Sequence, residues 1–247
     1  MRRAILITGA SRGIGRATAI AFAERGDRVA IHHRDSEEAA QKLRLELAGE
    51  GHVVVQADLA QPSAIQAMVT EAAAALGGLD VLVNNAARSG PHAITDVSYD
   101  EWQAAWRETV EVNLMGAANV TYWAVKHMKR GGRIVNVSSR GAFRGEPRQP
   151  AYGASKAGLN AMGQSLAVAL APLGIGVATV APGYVETDMS NAHLKSPRGP
   201  EILAQSPFNR IARPDEVAAA IVWLSSPEAE WASGAILDLN GASYLRT

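Results

Sequence analysis

The 247-residue chain contains no cysteine, which excludes disulfides, thiolate metal sites and a cysteine nucleophile. Net charge is missing as well, since 24 Lys and Arg stand against 24 Asp and Glu. A balanced chain lacks the uncompensated positive field that holds nucleic acid or an anionic membrane surface, so neither is expected as a partner. No stretch approaches the ~18 apolar residues of a membrane span. The opening MRRAILITGA is basic and apolar like the head of a signal peptide, but Thr8, Gly9 and Arg12 interrupt it too early. These absences lead to the expectation of a cytoplasmic protein. What is present, 47% hydrophobic and 19% charged residues, fits an ordinary globular chain.

Short apolar runs alternate with longer helical patterns along the whole sequence. Strand-like segments are Ala4–Thr8, Arg28–His33, Val53–Ala57, Leu79–Asn85, Arg133–Ser138, Gly176–Ala181 and Ala235–Leu239. Helical spacing marks Ile14–Arg25, Glu37–Ala48, Ala64–Leu76, one long helix from about Asp100 to His127, Ala151–Ala171 and Pro214–Leu224. Val/Ile/Leu runs without polar alternation suit strands buried on both faces. The expectation is a Rossmann-type doubly wound α/β sheet of seven mostly parallel strands, one domain over 1–247. The polar, Pro-rich stretch at about 184–213 is too long for a simple connection and reads as a lid over the site.

TGASRGIG (Thr8–Gly15) joins the first strand to the first helix. Gly9 would permit the tight turn, Gly13 the approach of a diphosphate, and Gly15 the close packing of helix on sheet, while the helix N-terminus offers free N–H groups to an anion. An NAD site ends its second strand with an acid that accepts bonds from the ribose hydroxyls. Here that strand ends His32-His33-Arg34, and Arg34 with Arg12 could clamp a 2′-phosphate, which favours NADP(H); against this, both arginines could be solvated loop residues, and Asp35 partly offsets Arg34. Of the six histidines only His32 and His33 are adjacent, and they point to opposite faces of a strand, so no metal is expected.

The stretch from Ser138 to Lys156 carries the chemistry. Tyr152 and Lys156 stand at i and i+4, on one helix face. Ser138 and Ser139 sit where the fifth strand ends, at the carboxyl edge where open α/β sheets bind ligands. Either serine could supply a hydroxyl, and the thirteen-residue spacing to Tyr152 favours Ser139. Reduction of a carbonyl builds charge on oxygen, so a proton donor and hydrogen-bond donors must be aimed there. A free tyrosine, with a pKa of about 10, is a poor acid at neutral pH, and Lys156 is expected to lower it.

TGASRGIG, NNAA at Asn84–Ala87, Asn113 in the long helix, Ser139, YGASK at Tyr152–Lys156 and APG at Ala181–Gly183 occur in the order and spacing of the short-chain dehydrogenases/reductases, and the sequence resembles that family over nearly its full length. The resemblance implies a catalytic set of Asn113, Ser139, Tyr152 and Lys156, with Asn113 holding a water that links Lys156 to solvent; a satisfied buried amide is the other reading of Asn113. It implies cofactor contacts at Gly9, Ser11, Arg12, Gly13, Ile14, Gly15, His33, Arg34, Asp58, Leu59, Asn85, Ala86, Tyr152, Lys156, Pro182, Gly183, Val185 and Thr187, although Asp58 could equally be only a cap for the next helix. Ala87 departs from the family, which has Gly there. Self-association as a homotetramer is a further implication.

YVETDM at Tyr184–Met189 and RIARPDEVAAAIVWLSS at Arg210–Ser226 look most like the 3-oxoacyl-[acyl-carrier-protein] reductase branch, which shades into sugar, steroid and small-ketone reductases. An acidic carrier wants basic residues beside the pocket mouth, and Lys126, Lys129, Arg130 and Arg133 are candidates. Arg140, Arg144 and Arg148 would either greet an anionic substrate or form a solvated loop or subunit contact.

Overall fold

The computed structural model describes residues 2–187, 190 and 194–246. Seven parallel strands form one sheet: β1 Ala4–Ile7, β2 Arg28–His33, β3 Val53–Gln56, β4 Leu79–Asn84, β5 Met128–Val137, β6 Gly176–Pro182 and β7 Ile236–Leu239, in the spatial order β3-β2-β1-β4-β5-β6-β7. The helices are α1 Gly13–Ala23, α2 Glu37–Glu46, α3 Pro62–Leu76, α4 Tyr99–Val110, α5 Ala117–Val125, α6 Pro150–Leu170, α7 Gly199–Ala204 and α8 Pro214–Leu224.

The period of two along each strand sends side chains to two cores. Ile5 and Ile7 of β1 join Val29, Ile31 and Val83 in packing against Phe22 of α1, Leu43 of α2 and Ile221 of α8. Ala4 and Leu6 face the other way, with Leu82 and Ile134, against Ile65 and Met68 of α3 and Val120 of α5. Each such Leu or Ile contributes roughly 1.5–3 kcal/mol by leaving water, so both faces hold the sheet between two helical layers. Strand order reverses between β1 and β4, and the crevice opens there at the carboxyl edge.

The long helix differs from the sequence expectation. Between α4 and α5 the chain widens into a π-helical turn, Glu111–Gly116, and α5 ends at Val125. Two contacts account for it. Asn113 is drawn into side-chain bonds with the backbone of Arg88, and Gly116 lies so close to the segment after β3 that a Cβ would come within 2.7 Å of the Leu59 carbonyl oxygen. A residue pattern of period 3.6 cannot register one inserted residue of this kind. No helix among the described residues is long and apolar enough to cross a membrane.

Candidate active site

The turn after β1 is shaped by what its glycines allow. Gly9 and Gly13 adopt φ of +63° and +56°, in the left-handed region where a side chain is strained. A Cβ on Gly15 would lie 2.4 Å from the Gly9 carbonyl oxygen and 2.6 Å from Asn85 Nδ2, so only glycine lets α1 start here. Ser11 lies within the turn and Ile14 packs from α1 onto the core. The α1 N-terminus has neither a side-chain cap nor an acid in its first turn, which leaves its amides open to an anion.

Asn85 locks the turn from β4, its amide donating to the Thr8 and Gly9 carbonyls at 2.8 and 3.0 Å; the backbone N–H groups of Asn85 and Ala86 donate to Thr8 Oγ1. Asp58 accepts from the Ala60 amide at 2.9 Å, forming a local turn beyond β3, and Leu59 is buried beside it. On the far side of the crevice, Gly183 donates to the Leu239 carbonyl, Val185 is buried and bridged to Ala212, and the Thr187 methyl lies 3.1 Å from where a Gly13 Cβ would stand. The stretch after Pro182 thus reaches back to the glycine turn. Asp188 and Met189 of YVETDM, with 191–193 of the expected lid, lie outside the described residues.

Sequence reasoning missed His32. Its Nδ1 accepts from the Gly9 amide at 3.0 Å and its Nε2 lies 3.0 Å from the Ala57 carbonyl, so the neutral Nε2–H tautomer ties the glycine turn to the end of β3. Burial pushes its pKa down to about 4, against a smaller opposing effect of the Ala57 bond. A polar residue inside an apolar strand was the available signal. His33 is buried too, and its Nδ1 has no partner among the described residues. Arg34 forms an exposed ion pair with Asp35, and the Arg12 side chain makes no hydrogen bond or ion pair among the described residues. Exposed pairs of adjacent residues are worth ~0–1 kcal/mol, so Asp35 is a weak competitor for the Arg34 guanidinium.

The open amides, the glycine cradle, the unpartnered His33 nitrogen, the unpaired Arg12 side chain and the weakly paired Arg34 fit a phosphorylated dinucleotide.

The candidate catalytic face is built by β5 and α6. Ser139, at the end of β5, accepts from the Gly141 amide at 3.0 Å. Ser138 instead turns inward and donates to the Lys156 carbonyl at 3.2 Å, a packing role. α6 can approach because Gly153 faces Gly141, whose carbonyl oxygen lies 2.9 Å from where a Gly153 Cβ would be. Tyr152 is thereby held beside Ser139. Burial pushes the Tyr152 phenol above its ordinary value, opposed by a hydrogen bond with Ser139 and reinforced by the Glu146 carboxylate. The expected lowering by Lys156 is therefore corrected: desolvation dominates. Lys156 is itself buried, its Nζ 5.8 Å from the Tyr152 ring centroid and donating to the Val137 carbonyl at 2.7 Å, and burial pushes it down to about 8.

Asn113 is buried in the π-turn. Its Oδ1 accepts from the Arg88 amide at 2.7 Å, and its Nδ2 donates to the Arg88 carbonyl at 2.9 Å and to Ser155 Oγ at 3.1 Å. Ser155 in turn donates to the Tyr152 carbonyl at 2.8 Å. Asn113 is thus joined through protein atoms to the backbone of Tyr152.

Two charge expectations change. Lys126 precedes β5 and Lys129, Arg130 and Arg133 lie in its N-terminal part, whereas Ser139 follows its end, so even Arg133 stands roughly 20 Å from the pocket edge at ~3.3 Å per residue. Arg133 is also buried, bonded to the Gly131 and Gly132 carbonyls and to Glu230. They cannot flank the pocket mouth. Arg140 is likewise buried and not a solvated loop residue: it donates to Ser243 at 2.6 Å and to Gln205 at 3.0 Å, and lies over the Tyr184 ring. Arg144 donates to the same Gln205 oxygen at 2.9 Å, while Arg148 is exposed. Two guanidiniums therefore strap Gln205 of the 184–213 segment and the tail after β7 to the loop after Ser139.

A doubly wound sheet carrying a glycine turn and a Ser–Tyr–Lys face at one edge defines a dinucleotide-dependent oxidoreductase. Residues 9–241 match the family described as enoyl-(acyl carrier protein) reductase. The chain is 34% identical over 249 residues to the 3-oxoacyl-[acyl-carrier-protein] reductase FabG of Staphylococcus aureus, covering 99% of each chain. It is 40% identical over 243 residues to cis-4-hydroxycyclohexanecarboxylate dehydrogenase of Sinomonas cyclohexanicum, covering 97% of this chain and 95% of the relative. The structure of a short-chain dehydrogenase from Burkholderia cenocepacia in complex with NADP superposes with a TM-score of 0.90 at 34% identity, covering 98% and 97% of the two chains. The chain belongs to the short-chain dehydrogenase/reductase family.

Proposed function

We propose that the protein is an NADPH-dependent reductase whose carbonyl substrate is a 3-oxoacyl thioester. The observation that carries the reaction class is the meeting of Ser139, Tyr152 and Lys156 at the carboxyl edge of the sheet. The similarity to FabG and to an NADP-bound relative supports the cofactor and the thioester.

Gly9, Ser11, Gly13, Ile14 and Gly15 would hold the diphosphate, and Arg12, His33 and Arg34 the 2′-phosphate side. Asp58, Leu59, Asn85 and Ala86 would border the adenosine, and Pro182, Gly183, Val185 and Thr187 the nicotinamide. When bound, the dihydronicotinamide supplies the hydride. Tyr152 gives its phenolic proton to the substrate oxygen as charge grows there, and the Ser139 hydroxyl donates a hydrogen bond to the same atom. The raised pKa keeps the phenol protonated at neutral pH, so the donor is loaded before the reaction. Lys156, charged below about 8, stabilises the tyrosinate left behind and would hold the nicotinamide ribose. Asn113 fixes the backbone of Tyr152 through Ser155 and would anchor the water that returns a proton by way of Lys156.

The 184–213 segment serves as the lid, supported by its pinned ends at Val185 and Ala212. A homotetramer is supported by the exposed Tyr122 of α5, Val168 of α6 and Trp231 before β7, the last 99% exposed. A second reading, a small cyclic ketone as substrate, is favoured by the 40% identity to the cyclohexanecarboxylate enzyme and by the location of the β5 basic residues far from the pocket. A rate panel with NADPH and NADH on acetoacetyl thioesters, cyclic ketones, diketones and sugars tests both. Thioester reduction ahead of the others supports the first reading, and preference for cyclohexanones supports the second.

A further inference from the structure

His92 is a buried polar residue, 3% exposed, that the catalytic assignment does not use. It lies in the loop between β4 and α4. Its Nδ1 is 2.8 Å from the Gly90 carbonyl, an acceptor only, so Nδ1 carries the proton. Nε2 then presents a lone pair, and it accepts from the Ala151 amide at 3.1 Å. Ala151 is the second residue of α6 and the immediate neighbour of Tyr152. The first amides of a helix lack intrahelical partners, and the N-cap residue Gln149 makes no side-chain cap, so the missing acceptor comes from a different loop.

The ring is fixed from every side. Trp102 of α4 meets it edge-on at 5.9 Å, and the His92 amide donates to the Arg148 carbonyl at 2.8 Å. Ser89 donates to Gln149, and Arg88, at the other end of the same short loop, is gripped through its backbone by Asn113. Residues 88–92 are thus bracketed between the π-turn and the start of α6. Among the charged side chains of these elements, Arg88 pairs with Glu108, Glu101 bonds Ser98 and Arg148 is exposed; none bonds the imidazole.

We infer that His92 is a positioning residue, whose Nε2 lone pair caps the donor helix at Ala151 and sets the placement of the Tyr152 phenol relative to Ser139. The inference rests on Tyr152 being the proton donor. Two variants separate the cap from mere packing. His92→Phe keeps a ring against Trp102 and removes the acceptor, whereas His92→Gln puts a carbonyl oxygen near the Nε2 position.

The expected result for His92→Phe is faster hydrogen exchange at the Ala151 amide and a kcat lower by about 10- to 100-fold, the scale of a misplacement near 1 Å, with KM for NADPH unchanged. His92→Gln should recover most of both. Unchanged Ala151 exchange in His92→Phe would overturn the cap, and lost protection with full kcat would overturn its positioning role. Failure of His92→Gln to restore either would overturn the lone-pair assignment. Tyr152→Phe in the same assay reports on the donor separately: full turnover there defeats the donor assignment, while the Ala151 exchange still decides the cap.

Discussion

The Gly9 amide donates to Nδ1 of His32, so the glycine turn is held by a side chain from the adjacent strand and not only by its own backbone. The second nitrogen of the same ring donates to the Ala57 carbonyl in either charge state, whereas the bond from the Gly9 amide requires the neutral imidazole.

Stability should therefore depend on His32 between about pH 6.5 and 4. Its folded pKa of about 4 lies below the unfolded value, so the unfolded chain binds the extra proton in that window. The stabilisation is complete above pH 6.5 and is lost as pH falls through about 4, with a span of about 3 kcal/mol at ~1.4 kcal/mol per unit. Urea unfolding at pH 7 and pH 4.5 measures it. In His32→Phe, which strands the Gly9 amide and the Ala57 carbonyl at a cost of ~1–3 kcal/mol each, the pH 7 midpoint should drop and its pH dependence flatten. A wild-type midpoint that did not move on acidification would remove His32 as the cause.

Much of this molecule is readable in its sequence because the strands are short apolar runs and the glycine and Tyr–Lys spacings are local. β2 and α8 run over the residues their patterns mark, Arg28–His33 and Pro214–Leu224. What stayed hidden depends on contacts between distant segments. The π-turn at Asn113 arises from the 88–92 loop and from Leu59, neither of which periodicity can sense. The basic residues around the start of β5 looked close to the pocket until strand direction placed them toward the opposite edge. Tyr152 illustrates the electrostatic version: the lysine four residues away was legible, but the desolvation that raises the phenol's pKa comes from packing.

Replacing Gly153 with Ala should impair turnover more than binding. The new Cβ would sit 2.9 Å from the Gly141 carbonyl oxygen, a backbone atom that cannot swing aside, so α6 and the loop after Ser139 must separate. The expected outcome is a kcat reduced by about 10-fold or more with KM for NADPH within about twofold, since the glycine turn is untouched. Steady-state kinetics settle the matter, and a wild-type kcat would show that the loop yields freely.

Cofactor choice should move with Arg12 and Arg34. Arg12→Ser with Arg34→Asp removes two cations and puts an acid beyond β2, where it can bond ribose hydroxyls and repel a phosphate. KM for NADPH should rise by about 10-fold or more, and that for NADH should hold or improve, given roughly 1.5–3 kcal/mol for hydrogen bonds to charged groups. If both cofactors weaken equally, the arginines support the fold of the site and do not read the phosphate.

The alkaline side of the rate profile should belong to Lys156. Burial disfavours its ammonium and pushes it down to about 8, whereas burial pushes the Tyr152 phenol up, so the lysine loses its proton first as pH rises. Carbonyl reduction should decline through about pH 8, and Lys156→Met should combine a large loss of kcat with no limb there. The contribution of Lys156 to stability runs the opposite way. The folded value lies below the unfolded 10.5, so between about 8 and 10.5 the unfolded chain holds the extra proton and this group makes the fold more stable as pH rises. Parallel kcat and urea measurements from pH 7 to 10 should therefore diverge, activity falling while this contribution to stability grows; a limb that persists in Lys156→Met would assign the titration to another group.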